Sequence, residues 1–263
     1  MRVLLAQLNP VPGSPEANAQ RAAETICRAH ADLAVLPELY LGGYDLGRVR
    51  EVALEPDSPP LAKLRAAASE VGCAVAVGFA ERRGDAYANS LALIDKNGEL
   101  AAVYRKVQLF GHEQDVFEPG DELTITPLAG LRVGALICFD MEFPEHSRAL
   151  AQAGAELLLT ASANMEPYYS EHRISSQARA LDNRLPHLYC NRAGEEAGLR
   201  FVGGSRVVRA DGTIDAEAVR SGEQLLALEL AHTAETPRQV DYLAQLREPV
   251  GVKALMTATG GDR

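Results

Sequence analysis

A cysteine stands at the end of an apolar segment near the middle of the chain. The stretch GALICFDMEFPE, residues 134–145, passes from a strand-like run through Cys138 into three carboxylates and a proline. The proline predicts that a helix begins at Pro144. A sharp turn from strand to helix exposes its side chain and directs backbone N–H groups at whatever the thiol attacks. This pattern favours a nucleophilic role for Cys138 over the usual role of a small buried apolar residue.

Two more polar residues follow apolar strand-like runs. Glu38 ends AVLPE and Lys106 ends AVYRK. Taken alone, Glu38 is equally consistent with a helix cap, and Lys106 is more typical of a solvated charge. Side chains at the carboxyl ends of strands leave the core on rigid supports, so the three could converge. A thiol with the ordinary pKa of about 8.5 needs a base, and an oxyanion needs a positive donor.

Histidine is the usual alternative base, and the chain has His30, His112, His146, His172, His187 and His232. His146 lies eight residues beyond the cysteine in a predicted helix, so nothing directs it at the thiol. His187 starts a predicted strand, and we expect its ring nitrogens to form hydrogen bonds within the core. A Cys–His pair stays open here but has no support from the sequence.

The elements that must position these residues alternate between strands and helices. Strands are predicted at 2–9, 32–38, 73–81, 131–138, 156–162 and 185–190, helices at 15–31, 58–72, 144–153 and 171–184. Asn-Gly within 90–106 and Asp-Gly within 204–214 predict two hairpins. The pattern predicts an α/β fold in one domain over residues 1–263, with two internally similar mixed sheets. Residues 234–263 are predicted to form a C-terminal helix and tail.

Composition argues against several functional classes. A net charge of −10 and a pI near 5.2 argue against binding to nucleic acid. No apolar run approaches the roughly 18 residues of a membrane helix, and the N-terminal run is too short for a signal peptide. We therefore expect a cytoplasmic protein. The four cysteines form no CxxC pair and HExxH is absent, so neither a disulfide scaffold nor a metal site is predicted.

Three segments carry a resemblance to a known family. AVLPELYLGGY, YRKVQLFGHEQDVFEPGD and GALICFDMEFPE resemble the signature segments of the nitrilase superfamily of carbon–nitrogen hydrolases, in the same order. The resemblance implies a four-layer α-β-β-α sandwich. It also implies Cys138 as nucleophile, Glu38 as general base and Lys106 as the cation for the tetrahedral intermediate. A second glutamate, Glu113, would hold Lys106 and orient substrate or water, and no metal or organic cofactor takes part.

The residues around the cysteine favour one reaction. CFDMEFPE is similar to the form found in aliphatic amidases, including those acting on 5-aminopentanamide and the R-stereoselective ones. We expect hydrolysis of a small aliphatic carboxamide to a carboxylic acid and ammonia through a cysteine thioester. N-carbamoyl amine or amino-acid hydrolysis and deaminated-glutathione-type amide hydrolysis remain alternatives. An inert scaffold is the alternative outside enzymes, although it has no need for four reactive side chains.

Candidates for substrate binding lie near the signature segments. They are Tyr44, Phe139, Glu142, Asn164 and Glu166. Asp140, Glu142 and Glu166 together suggest a substrate with a cationic tail. The resemblance further implies a homodimer or higher homo-oligomer, assembled through the helices at 144–153 and 171–184.

Overall fold

Six strands form the first sheet of the protein. In the computed structural model, which describes residues 1–230 and 242–247, the order of these strands is β14-β1-β2-β3-β4-β5. The elements of this half are β1 (Arg2–Gln7), α1 (Pro15–Ala29), β2 (Leu33–Val35), α2 (Val49–Val52), α3 (Pro59–Val71), β3 (Ala74–Arg83), β4 (Ala86–Ile94) and β5 (Leu100–Arg105), with β14 (Gln224–Glu229) arriving from the far end of the chain. β1, β2 and β3 are parallel, whereas β4, β5 and β14 pair antiparallel with their neighbours.

A second six-stranded sheet repeats this plan in the order β13-β12-β9-β8-β7-β6. Its elements are β6 (Thr124–Leu128), β7 (Leu131–Ile137), α4 (Pro144–Gln152), β8 (Leu157–Ser162), α5 (Tyr169–Asn183), β9 (His187–Asn191), β12 (Arg206–Val208) and β13 (Ile214–Glu217), with a separate hairpin of β10 (Ala193–Glu196) and β11 (Leu199–Val202). β7, β8 and β9 are parallel, and β6, β12 and β13 pair antiparallel. Both sheets are mixed, as predicted.

The two sheets pack face to face. Their inner faces share one apolar cluster that includes Leu5, Val35, Leu93, Ile137, Leu159 and Leu188. A second cluster joins the outer face of the first sheet to α1 and α3, and another joins the outer face of the second sheet to α4. The central parallel strands are covered on both sides, which explains why their sequences read as continuous apolar runs. This is the predicted four-layer α-β-β-α sandwich.

Local sequence signals explain where the elements begin and end. α1, α3 and α4 each begin with proline, whose fixed φ suits the first helical turn. α3 ends at Gly72, which has a positive φ of 69°. Gly98 and Gly212 also have positive φ in the turns of the two predicted hairpins, β4–β5 and β12–β13. The predicted strand from 185 is shorter at its start, because β9 begins only after Pro186.

Most of the predicted C-terminal helix and tail at 234–263 lies outside the described residues. Of that segment the structure describes only 242–247, where 242–245 form a turn. Within the described ranges, no helix combines the length and apolarity that crossing a bilayer requires.

Candidate active site

Cys138 lies at a sharp turn between β7 and α4. β7 ends at Ile137, and the next five residues, Cys138–Glu142, form a short 3₁₀ turn. Cys138 has a positive φ of 48°, which a non-glycine residue adopts only when its surroundings hold it there. Its side chain is largely buried, with 8% of the residue surface exposed. The predicted turn geometry at the cysteine is therefore present.

The Asp140 carboxylate holds this turn in place. It accepts hydrogen bonds from the backbone N–H of Ile137 at 2.9 Å, the backbone N–H of Gln108 at 2.7 Å and the Tyr104 hydroxyl at 2.7 Å. Asp140 is fully buried. Asp140 thus stabilises the turn, and it is not among the residues that line the cavity beside Cys138.

Lys106 lies between the two predicted glutamates. Its Nζ is 2.6 Å from Glu38 Oε1 and 2.8 Å from Glu113 Oε2, and all three side chains are buried from solvent. Asn89, on β4, donates to Glu38 at 2.7 Å and to Glu113 at 3.3 Å. The backbone N–H of Ala163 donates to the other oxygen of Glu38 at 2.7 Å. The two predicted glutamates and Lys106 thus form one hydrogen-bonded group.

The backbone around Glu38 lies unusually close to the neighbouring strand. Gly78 on β3 has no side chain, and a Cβ there would be 2.4 Å from both the Pro37 oxygen and the Leu39 nitrogen. A larger residue at position 78 would displace the segment that carries Glu38. Glycine at this point of β3 therefore helps to place the carboxylate after the short strand β2.

Burial dominates the electrostatics of the site. It raises the pKa of the Cys138 thiol well above the ordinary value, and the charge of Glu38 raises it further while Lys106 opposes the shift. Burial also raises the pKa of Glu38, against the opposing effect of Lys106. Burial alone lowers the pKa of Lys106, but the carboxylates of Glu113 and Glu38 outweigh it and raise that pKa. Lys106 is therefore a permanent cation, and the thiol needs a base.

A small cavity lies over the cysteine sulfur. Its free volume is about 10 Å³, which is room for about one water molecule. Aromatic rings form one wall: Phe110 packs edge-on against Phe139 and against Tyr168, with ring centroids 5.3 and 5.6 Å apart. The lining residues are Tyr44, Phe110, Cys138, Phe139, Glu142, Asn164, Met165, Tyr168 and His172.

Four of the five predicted binding residues line this cavity. The Tyr44 hydroxyl donates to Glu113 at 2.6 Å, and Phe139 belongs to the aromatic wall. Asn164 uses its amide to hold its own loop, since it donates to the Tyr168 carbonyl at 3.1 Å. One oxygen of Glu142 lies 3.0 Å from His172 Nε2.

Glu166 does not line the cavity. Its carboxylate faces an open surface groove, 3.3 Å from Arg220 and 3.7 Å from Arg200. The preceding residue, Met165, forms an isolated antiparallel bridge with Phe201, and successive side chains of an extended segment point to opposite sides. Met165 therefore lines the cavity while Glu166 points away from it. The structure therefore does not bring Glu166 together with the other four predicted binding residues.

The described histidines form no hydrogen bond with the sulfur, and His232 lies outside the described residues. Among the described residues, no imidazole nitrogen is hydrogen bonded to Cys138, so the Cys–His alternative has no structural support. His187 instead contacts Thr160 at 2.8 Å and the Ser176 carbonyl at 3.2 Å, which confirms its predicted role in the core. All four cysteines are free thiols. Within the described ranges, no cluster of His, Cys, Asp and Glu could hold a metal ion.

Several residues of the site were missed from the sequence. Asn89 lies within an apolar strand. A polar residue in such a strand needs a buried hydrogen-bond partner, and this was the signal in the sequence that could have identified it. Ser162 ends β8 and donates to Cys138 Sγ at 3.3 Å. It is a polar residue at the carboxyl end of an apolar strand, which is the same pattern that selected Glu38. Tyr189 and His172 approach the sulfur only through Ser162, and no local pattern marks them.

Comparison with known proteins decides the family. The sequence profile of the carbon–nitrogen hydrolases matches residues 2–238. The chain belongs to this family. The resemblance to the nitrilase superfamily seen in the three signature segments is thereby confirmed, and the chain is a carbon–nitrogen hydrolase.

Individual members of the family agree with this assignment. An (R)-stereoselective amidase from a Pseudomonas species is 38% identical over 252 residues, covering 94% of this chain and 92% of that protein. A nitrilase from Pyrococcus abyssi is 32% identical over 239 residues, covering 88% and 89%. A solved structure of an amidase variant from Nesterenkonia sp. AN1 matches with a TM-score of 0.85 and 32% identity over 94% of each chain. In that structure the acetamide moiety of fluoroacetamide is attached to the active-site cysteine.

Proposed function

We propose that the protein is an amidase that hydrolyses a small aliphatic carboxamide to a carboxylic acid and ammonia through a thioester on Cys138. The observation that carries this proposal is the buried Lys106 ammonium, held between Glu38 and Glu113 beside the strained turn of the nucleophile. The similarity of the chain to amidases from two bacteria supports the same reaction.

The proposed reaction begins at the sulfur. Glu38 takes the thiol proton, and the thiolate attacks the amide carbon. Lys106 and the backbone N–H of Phe139 stabilise the oxyanion. Glu38 returns the proton to the leaving nitrogen, ammonia departs, and a thioester remains. Glu38 then removes a proton from water, which attacks the thioester. The acid is released as the carbon–sulfur bond breaks, and Glu38 returns its proton to the sulfur, which restores the thiol.

Glu113 is proposed to act through its neighbours. Both of its oxygens contact Lys106, and it accepts from the Tyr44 hydroxyl and from the backbone N–H of Phe110 at 2.9 Å. It thereby joins the cation to two residues of the cavity wall.

The cavity favours an uncharged acyl group. Of the three acids that suggested a cationic substrate tail, only Glu142 faces the cavity, and one of its oxygens is engaged by His172. The remaining wall is mainly aromatic. We expect pentanamide to be hydrolysed with a higher kcat/KM than 5-aminopentanamide, because the ammonium would lose its hydration against this wall. A preference for the amino compound would restore the cationic-tail hypothesis.

The experiment that tests the function measures ammonia release from short amides, N-carbamoyl amines and nitriles. We expect turnover of the amides and a cysteine-linked acyl intermediate detectable by mass spectrometry after rapid quenching. Cys138→Ala should abolish both signals, while Cys27→Ala, which alters a cysteine on α1, should preserve them. Turnover confined to N-carbamoyl amines would favour the alternative activity, and no turnover by a folded protein would favour the scaffold.

We further propose that the protein is a homodimer that assembles in part through α5. Ile174 and Leu181 expose 68% and 37% of their surface on this helix, and large exposed apolar residues are typical of contact surfaces. Light scattering coupled to size-exclusion chromatography should give twice the chain mass of 28.2 kDa. A monomer at micromolar concentration would contradict the proposal. The cytoplasmic location stays a prediction.

A further inference from the structure

A continuous line of polar atoms connects the nucleophile to the cavity wall. Ser162 Oγ lies 3.3 Å from Cys138 Sγ and 3.1 Å from the Tyr189 hydroxyl. The same hydroxyl lies 2.9 Å from His172 Nδ1, and His172 Nε2 lies 3.0 Å from Glu142 Oε1. Each link is within hydrogen-bonding distance.

This line is built into the interior of the second sheet. Ser162 ends β8, Tyr189 is central in β9 and His172 lies on α5, and all three are buried. The backbone N–H of Asn164 also donates to Ser162 Oγ at 3.2 Å. Cys138, His172 and Glu142 line the cavity, and of His172 and Glu142 it is Glu142 whose side chain is partly exposed.

The order of donors depends on the state of the sulfur. With a thiol, S–H can donate to Ser162, Ser162 to Tyr189, and Tyr189 to Nδ1 of a neutral His172 whose Nε2–H faces Glu142. Burial lowers the pKa of His172, which favours this neutral form over the opposing effect of Glu142. The other charges that act on His172 are Arg206 and Lys106.

A thiolate requires the opposite order. Once Glu38 has taken the thiol proton, the Ser162 hydroxyl can rotate and donate to the sulfur. The Tyr189 hydroxyl can then rotate and donate to Ser162. Two hydroxyl rotations give the sulfur its donor, but they leave His172 Nδ1 facing the Tyr189 oxygen with no hydrogen between them. A proton taken up from solvent by way of the partly exposed Glu142 and bound at Nδ1 completes the opposite order, with the imidazolium between Tyr189 and the Glu142 carboxylate.

We propose that Ser162 is a catalytic residue that donates a hydrogen bond to the Cys138 thiolate, and that Tyr189 and His172 are positioning residues that direct this hydroxyl. The proposal deepens the amidase function proposed above and rests on it for its biological role. It adds a third group, besides Lys106 and Glu38, that acts on the sulfur. It also links the sulfur to Glu142, so a substrate that contacts Glu142 would influence the nucleophile.

The test measures alkylation of Cys138 by iodoacetamide as a function of pH, with the modified peptide quantified by mass spectrometry. Alkylation requires the thiolate but no amide turnover. A protein that hydrolyses none of the amides can therefore still support the proposal about Ser162. Failure of the amidase function and failure of the Ser162 proposal are thus distinguishable.

Ser162→Ala should lower the alkylation rate at pH 7 about tenfold and move the midpoint of the pH profile upward, because a hydrogen bond to a charged group is lost. Tyr189→Phe should lower it about threefold, because the hydroxyl that orients Ser162 is removed. The double variant should match Ser162→Ala alone, since Tyr189 acts only through the serine. A merely structural role would not give this non-additivity.

Tyr40→Phe provides the matched control. Tyr40 is also a buried tyrosine, but among the described residues its hydroxyl has no hydrogen-bond partner. Its removal should leave the alkylation profile of Cys138 unchanged.

An unchanged profile for Tyr189→Phe, or rate losses that multiply in the double variant, would overturn the proposal. If Ser162→Ala fails to fold by circular dichroism, Glu142→Gln tests the line from its outer end. This change removes the charge beside His172 Nε2, and the proposal expects a shifted alkylation profile. An unshifted profile would count against it.

Discussion

At the scale of single residues, the site depends on one buried cation. Lys106 is in contact with two carboxylates, and no solvent reaches any of the three side chains. Such a group is costly to bury, and it persists because the ammonium lies between the two carboxylates and Asn89 donates hydrogen bonds to both of them. The same arrangement that holds the cation also places it beside the nucleophile.

Lys106→Ala should be as damaging to turnover as Cys138→Ala, because the oxyanion loses its charged donor. It should also lower the free energy of unfolding by about 3 to 5 kcal/mol, since Glu38 and Glu113 are left buried and unpaired. Ammonia release and urea denaturation measure the two effects. Lys63→Ala is the control, because the one hydrogen bond of Lys63 within the described part of the chain is an exposed contact with Gln20. Near-normal turnover of a folded Lys106→Ala protein would refute the assigned role.

At the scale of elements, the strand ends explain what could be predicted. Glu38, Lys106 and Cys138 each follow an apolar run directly, so local sequence was sufficient to select them. The role of Asp140 could not be read in the same way, because its three donors come from β5, from the loop after β5 and from β7. From the sequence its carboxylate suggests a substrate contact, because a charge beside a nucleophile suggests binding until its hydrogen-bond partners are known.

Asp140→Asn tests the role of this carboxylate in the nucleophile turn. An amide NH₂ cannot accept the hydrogen bond that the missing oxygen received, so two donors face each other. We expect a loss of about 1 to 3 kcal/mol in the free energy of unfolding together with a clear fall in kcat.

Asp95→Asn is the matched change in the turn between β4 and β5. The Asp95 carboxylate also accepts backbone N–H groups, from Asn97 and Glu99, but it is remote from the cavity. This variant should keep the wild-type kcat. If Asp140→Asn also kept it, the turn would not depend on Asp140.

At the scale of the whole molecule, the site is divided between the two sheets. The first sheet supplies Glu38 and Lys106, and the second supplies Cys138 and Ser162. The layered fold was predictable because its strands and helices alternate with clear capping signals. Which residues of one sheet meet those of the other was not, because no local pattern encodes the packing of two sheets. Ser162, Tyr189 and His172 were missed for a different reason: they lie in the same half as Cys138, but their contacts join β8, β9 and α5, which are far apart in sequence.

We predict that the two sheets unfold in a single transition, as expected of the proposed single domain, because β14 returns to pair with β1 and the inner faces share one core. Leu159→Ala, in that core, should lower the free energy of unfolding by about 2 to 5 kcal/mol. Leu225→Ala, on the half-exposed side of β14, should change it by less than about 0.5 kcal/mol. Circular dichroism and urea denaturation check both values. Two separate transitions would indicate that the halves are independent.

The tight space over the sulfur has a kinetic consequence. With room for about one water molecule, we expect the cavity to admit an amide only when its wall moves. Tyr168 is the exposed member of the aromatic wall. The chain contains no tryptophan. A Tyr168→Trp variant would therefore carry the single tryptophan of the chain. Its fluorescence after rapid mixing with an amide would measure the rate at which the wall opens, separately from the rate of bond cleavage.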